Sequence, residues 1–83
     1  MNNKVLVTVL VPMIEEEYNV YIPVFKSISV TKELLIKTIN ELSDGHFPIK
    51  NNYVLMSGDG LVYPDNSIVK ECGIRNSDKV ILI

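Results

Sequence analysis

The chain has 83 residues, a net charge of −2, 47% apolar and 22% charged residues. That length suits one domain burying roughly 60–65% of its unfolded surface, and the composition is that of a folded chain, which excludes disorder. Eight basic residues, scattered singly among ten acidic ones, give no phosphate-binding surface for DNA or RNA, and a lone cysteine excludes an intramolecular disulfide.

Val5 to Val11 reads as the first strand. Val5, Val7, Val9 and Val11 fall on one face and Leu6, Thr8 and Leu10 on the other. A run this apolar is expected of a central strand covered on both sides. It is too short to span a bilayer, lacks a small-residue cleavage site and leads into Glu15-Glu16-Glu17, so it is neither an anchor nor a signal peptide. These features point to a cytoplasmic protein without direct membrane insertion.

Pro12 should end this strand, with a loop from Met13 to Glu17 and a second strand from Tyr18 to Val24. Pro23 cannot donate to a ladder, which makes the second strand an edge. Ser27 or Ser29 can cap the helix that follows, in which Val30, Leu34, Leu35, Ile39 and Leu42 recur at helical spacing. Gly45 can terminate that helix and Pro48 discourages its continuation.

Tyr53 to Met56 is a short third strand, Ser57-Gly58-Asp59-Gly60 a turn, and Leu61 to Tyr63 a returning fourth strand. Ser67 is placed to cap a short helical turn ending at Cys72. Gly73 bends the chain, and Lys79 to Ile83 is the last strand. Hairpin, helix, short strands and a final apolar strand predict an α+β domain: a mixed sheet of four to five strands crossed by one helix.

This order resembles the β-grasp of ubiquitin-like domains, over nearly the whole chain from Val5 to Ile83. A closer resemblance is to the small bacterial ubiquitin-like proteins of the YukD type, encoded with type VII (WXG100) secretion systems. It rests on Val7-Thr8-Val9, Tyr18-Asn19-Val20-Tyr21-Ile22-Pro23 and Cys72-Gly73-Ile74-Arg75-Asn76, with a terminal strand that no Gly-Gly follows. The resemblance implies one ubiquitin-like domain over residues 1–83 with its first and last strands parallel in the sheet centre. It implies a non-enzymatic accessory or regulatory component of such a secretion system, binding its components. Without a terminal Gly-Gly the chain is not expected to be conjugated. A covalent modifier or sulfur carrier is the alternative if the chain continues past Ile83.

The residues suggest no catalytic, cofactor or metal site. Cys72 and His46 are the one thiol and the one imidazole, and nothing in the predicted order brings them together with a third orienting group. Adjacent Glu15, Glu16 and Glu17 at a hairpin tip do not converge on one ion. Ser57-Gly58-Asp59-Gly60 lacks the third glycine and the helix of a phosphate loop, and Asp44, Asp59, Asp65 and Asp78 all fall in turns.

The candidate site is a surface. If Val5, Val7, Val9, Val20, Ile22, Val54, Met56, Val80 and Leu82 face the helix, alternation sends Leu6, Thr8, Leu10, Tyr21, Leu55, Ile81 and Ile83 to the other side of the sheet. That set is too apolar for a solvated face and reads as a protein-interaction surface, unless long Lys and Glu side chains or the loop from Phe47 to Asn52 cover part of it, or a register shift of one residue exchanges the two faces. Secretion-machine components or a second copy of the chain are the partners it would serve.

Overall fold

A computed structural model describes residues 3–83. Strand β1 runs Lys4–Val11 and β2 Glu16–Pro23, helix α1 spans Ile28–Leu42, β3 is Leu55–Ser57 and β4 Lys79–Leu82. One sheet holds the four strands in the order β2-β1-β4-β3. β1 pairs antiparallel with β2 and parallel with β4, and β4 pairs antiparallel with β3. The two most apolar strands therefore lie in the centre, where neither presents an edge to water, and the proline-bearing β2 takes one edge.

The turn between β1 and β2 is tighter than a five-residue loop. Pro12–Ile14 form a single 3-10 turn, closed by the Glu15 N–H donating to the Pro12 carbonyl at 3.1 Å. Glu15 takes the left-handed backbone (φ 53°), and pairing resumes at Glu16 opposite Val11. Two residues expected in the loop thus join the ladder.

Ser27 caps α1, its Oγ accepting from the Val30 N–H at 3.1 Å. The helix buries Ile28, Thr31, Leu35, Ile36 and Ile39, while Val30, Leu34 and Leu42 are exposed. The expected stripe was thus rotated. Thr31 can be fully buried because its hydroxyl donates to the Ser27 carbonyl at 2.9 Å, which satisfies the polar group within the helix. Leu42 lies within the apolar arc, but it faces a shallow cavity beside Ile14 and Tyr18 at the end of the sheet.

Past α1, Phe47 is fully buried and stacks on Tyr53 with ring centroids 4.5 Å apart. The Tyr53 hydroxyl donates to the Pro48 carbonyl at 2.6 Å, closing the segment between them into a strap along the helix. Ile49, Lys50, Asn51 and Tyr53 line a cavity of about 680 Å³ with Ile36 and Lys37 of α1. This segment therefore flanks the helix and does not cover the opposite face of the sheet.

The expected fourth strand, Leu61 to Tyr63, is reduced to a bridge between Met56 and Val62. The Ser57 N–H bonds to the Leu61 carbonyl and the Tyr63 N–H to the Leu55 carbonyl. A second 3-10 turn, Val69–Cys72, carries no side-chain cap from Ser67. Its free amides instead find backbone carbonyls: Val69 N–H donates to Lys26 at 3.0 Å and Lys70 N–H to Val24 at 2.8 Å. Gly73 then turns the chain at φ 75°, where a side chain would be strained.

Candidate functional site: the outer face of the sheet

The side chains on the helix side are settled by burial. Val7, Val9, Val11, Ile22, Val80 and Leu82 are at most 1% exposed. Alternation along these strands turns Leu6, Thr8 and Leu10, Tyr21, and Ile81 and Ile83 the other way, as expected. β3 has the opposite phase to that expected. Leu55 is 1% exposed, sits opposite buried Leu82 and belongs to the core. Val54 and Met56 occupy the outer side in its place. The reason is that Tyr53, Val54, Leu55 and Met56 are apolar in succession, so polarity gives no phase, and a slip of one residue exchanges the faces. Buried Tyr53, locked against Phe47, sets the phase and puts Leu55 inward with it.

The register arranges the outward residues in rows across the strands. Glu17, Leu10, Ile81 and Met56 are successive partners, and Met56 bridges to Val62. At a strand spacing of about 4.8 Å, the apolar part of this row, Leu10 to Val62, extends about 14 Å. Ile83 and Val54 extend the row at one end of the sheet. Their backbones exchange two hydrogen bonds, Val54 N–H to Ile83 O at 2.6 Å and Ile83 N–H to Val54 O at 2.9 Å. Ile83 is 46% exposed and Val62 60%.

The next row is polar. Asn19, Thr8 and Lys79 are partners, and the Thr8 hydroxyl donates to Asn19 Oδ1 at 2.9 Å. Beyond it Leu6 pairs with exposed Tyr21. The Leu6 N–H donates to Asn76 Oδ1 at 2.8 Å, and its carbonyl accepts from the Ser77 N–H at 2.8 Å, so the turn before β4 clasps this end of β1. The structure thus brings Leu10, Ile81 and Ile83 together, adds Val54, Met56 and Val62, and sets Leu6 and Tyr21 apart behind a polar band. The sequence signal for the added three was present, since each is apolar and flanks the turn at Ser57 to Gly60, but it carried no phase.

Cys72 and His46 lie at opposite ends of α1. The turn holding Cys72 is bonded to Val24 and Lys26 before the helix, whereas His46 follows its last turn, with Nδ1 2.6 Å from the Ser43 carbonyl. Fifteen helical residues separate these ends by on the order of 20 Å. Burial, with a smaller contribution from Glu71, pushes the Cys72 thiol up from its ordinary pKa, the reverse of an activated thiolate. Among the described residues no group of three or more His, Cys, Asp or Glu is placed to hold a metal ion. No helix among them is long and apolar enough to cross a membrane.

One helix over a mixed sheet, with parallel central strands contributed by the start and end of the chain, is the ubiquitin-like β-grasp. Solved structures carry the same fold. The chain is similar to the EccD5 ubiquitin-like domain from Mycobacterium xenopi, with a TM-score of 0.81 and 19% identity over 99% of this chain and 94% of that one. It is also similar to the ubiquitin-like domain of the Mycobacterium tuberculosis type VII secretion system protein ECCD1, with a TM-score of 0.75 and 9% identity over 100% and 99% of the two chains. A subunit of the MycP5-free ESX-5 inner membrane complex matches with a TM-score of 0.82 and 18% identity over 99% of this chain, which spans only 21% of that subunit. At these identities the likeness establishes the fold. No protein-family profile and no curated protein matches the chain.

Proposed function

We propose that the protein is a non-enzymatic docking module of a bacterial type VII (WXG100) secretion system, of the YukD kind, working in the cytoplasm and binding the machine's components through the outer face of its sheet. The observation that carries this reading is the continuous apolar row Leu10, Ile81, Met56 and Val62 with Ile83 beside it, half-buried along the strands and exposed at Val62 and Ile83, on a domain whose core is already complete behind it. Contiguous apolar surface of this kind favours protein contact over solvation. The likeness to ubiquitin-like domains of EccD proteins supports the choice of partner. Leu6, Thr8 and Tyr21 form a second, more polar part of the same face and are assigned to the rim.

The test is recovery of partners from detergent-solubilised membranes of the native host, with wild-type protein and Ile81→Asp as paired baits. Ile81 is only partly buried, so circular dichroism should show Ile81→Asp folded. Secretion-system subunits recovered by the wild type and lost with Ile81→Asp are the expected result. Equal recovery by both baits, or no secretion subunit with either, overturns the reading.

A further inference from the structure

Among the described residues no strand pairs with the outer edge of β2. Its polar backbone groups can be assigned from those of β1. Leu6 bonds toward β4 through both its N–H and its carbonyl, and the Thr8 N–H donates to Asp78 O at 2.9 Å, also on that side. Val5, Val7 and Val9 therefore direct their backbone groups to Ile22, Val20 and Tyr18 of β2. The intervening residues of β2, Glu17, Asn19 and Tyr21, direct theirs away from the sheet. Among the described residues no backbone hydrogen bond from outside the strand ladders reaches them. The other edge is different: β3 is three residues long, and Val62 bridges its far side.

Three features describe what could pair with this edge. First, the window is short. Pro23 closes one end because it lacks an N–H, and the left-handed turn at Glu15 closes the other. Second, one flank is apolar. Lys32 and Ile36 lie on the side of α1 that lines the cavity with Lys50 and Tyr53, so the opposite flank, carrying exposed Val30 and Leu34, lies toward β2, the strand nearest the helix. Third, the edge is electrically polar. Glu15, Glu16 and Glu17 lie at the hairpin end, near Asp44 past the helix C-terminus, while Lys26 and Lys70 lie at the other, with Lys70 Nζ 5.3 Å from the Phe25 ring centroid.

We propose that this edge takes a second copy of the chain, β2 pairing antiparallel with β2 about a two-fold axis to make one eight-stranded sheet. The charges select that arrangement. Parallel pairing would set the three glutamates against themselves, whereas the two-fold places them toward the partner's lysine end. A register centred on Asn19 sets Glu17 opposite Tyr21 and exchanges about six main-chain hydrogen bonds, using the three outward-facing residues of each copy and avoiding Pro23. On the helix side it sets half-buried Val20 opposite half-buried Tyr18 and places both Val30–Leu34 flanks on the same side of the joined sheet. The outer face stays open, so this pairing does not depend on the docking function proposed above.

Sedimentation equilibrium of the full chain from about 10 µM to about 1 mM, with amide hydrogen exchange on the same samples, tests it by mass action. The weight-average mass should rise from 9.4 kDa toward twice that value, and the amides of Glu17, Asn19 and Tyr21 should become protected together as it does. Asn19→Pro should hold the protein monomeric with its circular dichroism retained, since its amide faces outward and the fold loses only the Thr8 contact. Glu17→Arg, which reverses one of the three acidic charges facing the partner's lysine end, should weaken the dimer several-fold. A mass of 9.4 kDa at the highest concentration with the three amides unprotected overturns the proposal, and so does a dimer that survives Asn19→Pro with those amides open.

Discussion

Exchanging the fates of two neighbouring side chains, Leu55 and Met56, isolates the phase of β3 on which the composition of the outer face depends. Leu55 is 1% exposed against fully buried Leu82. Leu55→Ala removes three carbon groups, worth about 2.4 kcal/mol at ~0.8 kcal/mol each. The cavity left behind raises the cost to about 3 kcal/mol, within the ~2–5 kcal/mol usual for such truncations. Met56 is partly exposed on the outer side, and Met56→Ala should cost less than about 1 kcal/mol. For 83 residues, whose total stability is on the order of 4–12 kcal/mol, the first loss is large. In urea, with a slope near ~1 kcal/mol/M for a small domain, the midpoint should fall by about 3 M for Leu55→Ala and by less than ~1 M for Met56→Ala. A cost for Met56→Ala equal to or above that for Leu55→Ala would refute the register and return Leu55 to the surface.

Four further outcomes are expected. Ser27→Ala, which removes the acceptor of the Val30 N–H, should destabilise by about 1 kcal/mol in the same titration. Gly73→Ala should cost about 1–2 kcal/mol from the left-handed backbone alone, because no atom lies within 4 Å of the added carbon. Burial holds the Tyr53 and Tyr63 phenols and the Cys72 thiol above their ordinary pKa values, with Asp78 adding to the effect on Tyr63. Each keeps its proton longer in the folded state, so this stability is complete below the unfolded-state pKa values, about 8.5 for Cys and 10 for Tyr, and is lost as pH rises through the higher folded values. The urea midpoint should therefore be lower at pH 10.5 than at pH 8; an unchanged or higher midpoint would count against the burial of these groups. Cys72 should alkylate at least tenfold more slowly in the folded protein than in urea at the same pH, and equal rates would place the thiol in the open.

The parts of the fold legible in the sequence are those where polarity and period agree. In β1 valine recurs at every second position from Val5 to Val11, Pro23 marks the edge, and Ser27 stands one residue before the helix. The sequence failed where neighbouring residues share a polarity. Four apolar residues in a row at Tyr53 to Met56 left the phase of β3 to a tertiary contact, the Phe47–Tyr53 stack. The helix face was rotated because Thr31 is polar in composition but satisfied internally, while Val30 and Leu34 look like core and lie on a flank. The Val69–Cys72 turn drew its partners from Val24 and Lys26, more than forty residues earlier, which no local signal reveals. Of the candidate surface, Leu6, Thr8, Leu10, Tyr21, Ile81 and Ile83 were placed on the correct side, and Leu55 was not. That Leu10 and Ile81 are neighbours while Leu6 stands apart follows from the parallel register of β1 and β4, which only the folded chain displays.

The most direct test of the docking face places a photo-crosslinking amino acid at Ile81, or at Lys37 on the exposed side of α1, in the native host. A crosslink from position 81 to a membrane subunit of the secretion machine, and none from position 37, is the expected result. Crosslinks to that machine from position 37 alone would move the docking surface to the helix and rule out the outer face of the sheet.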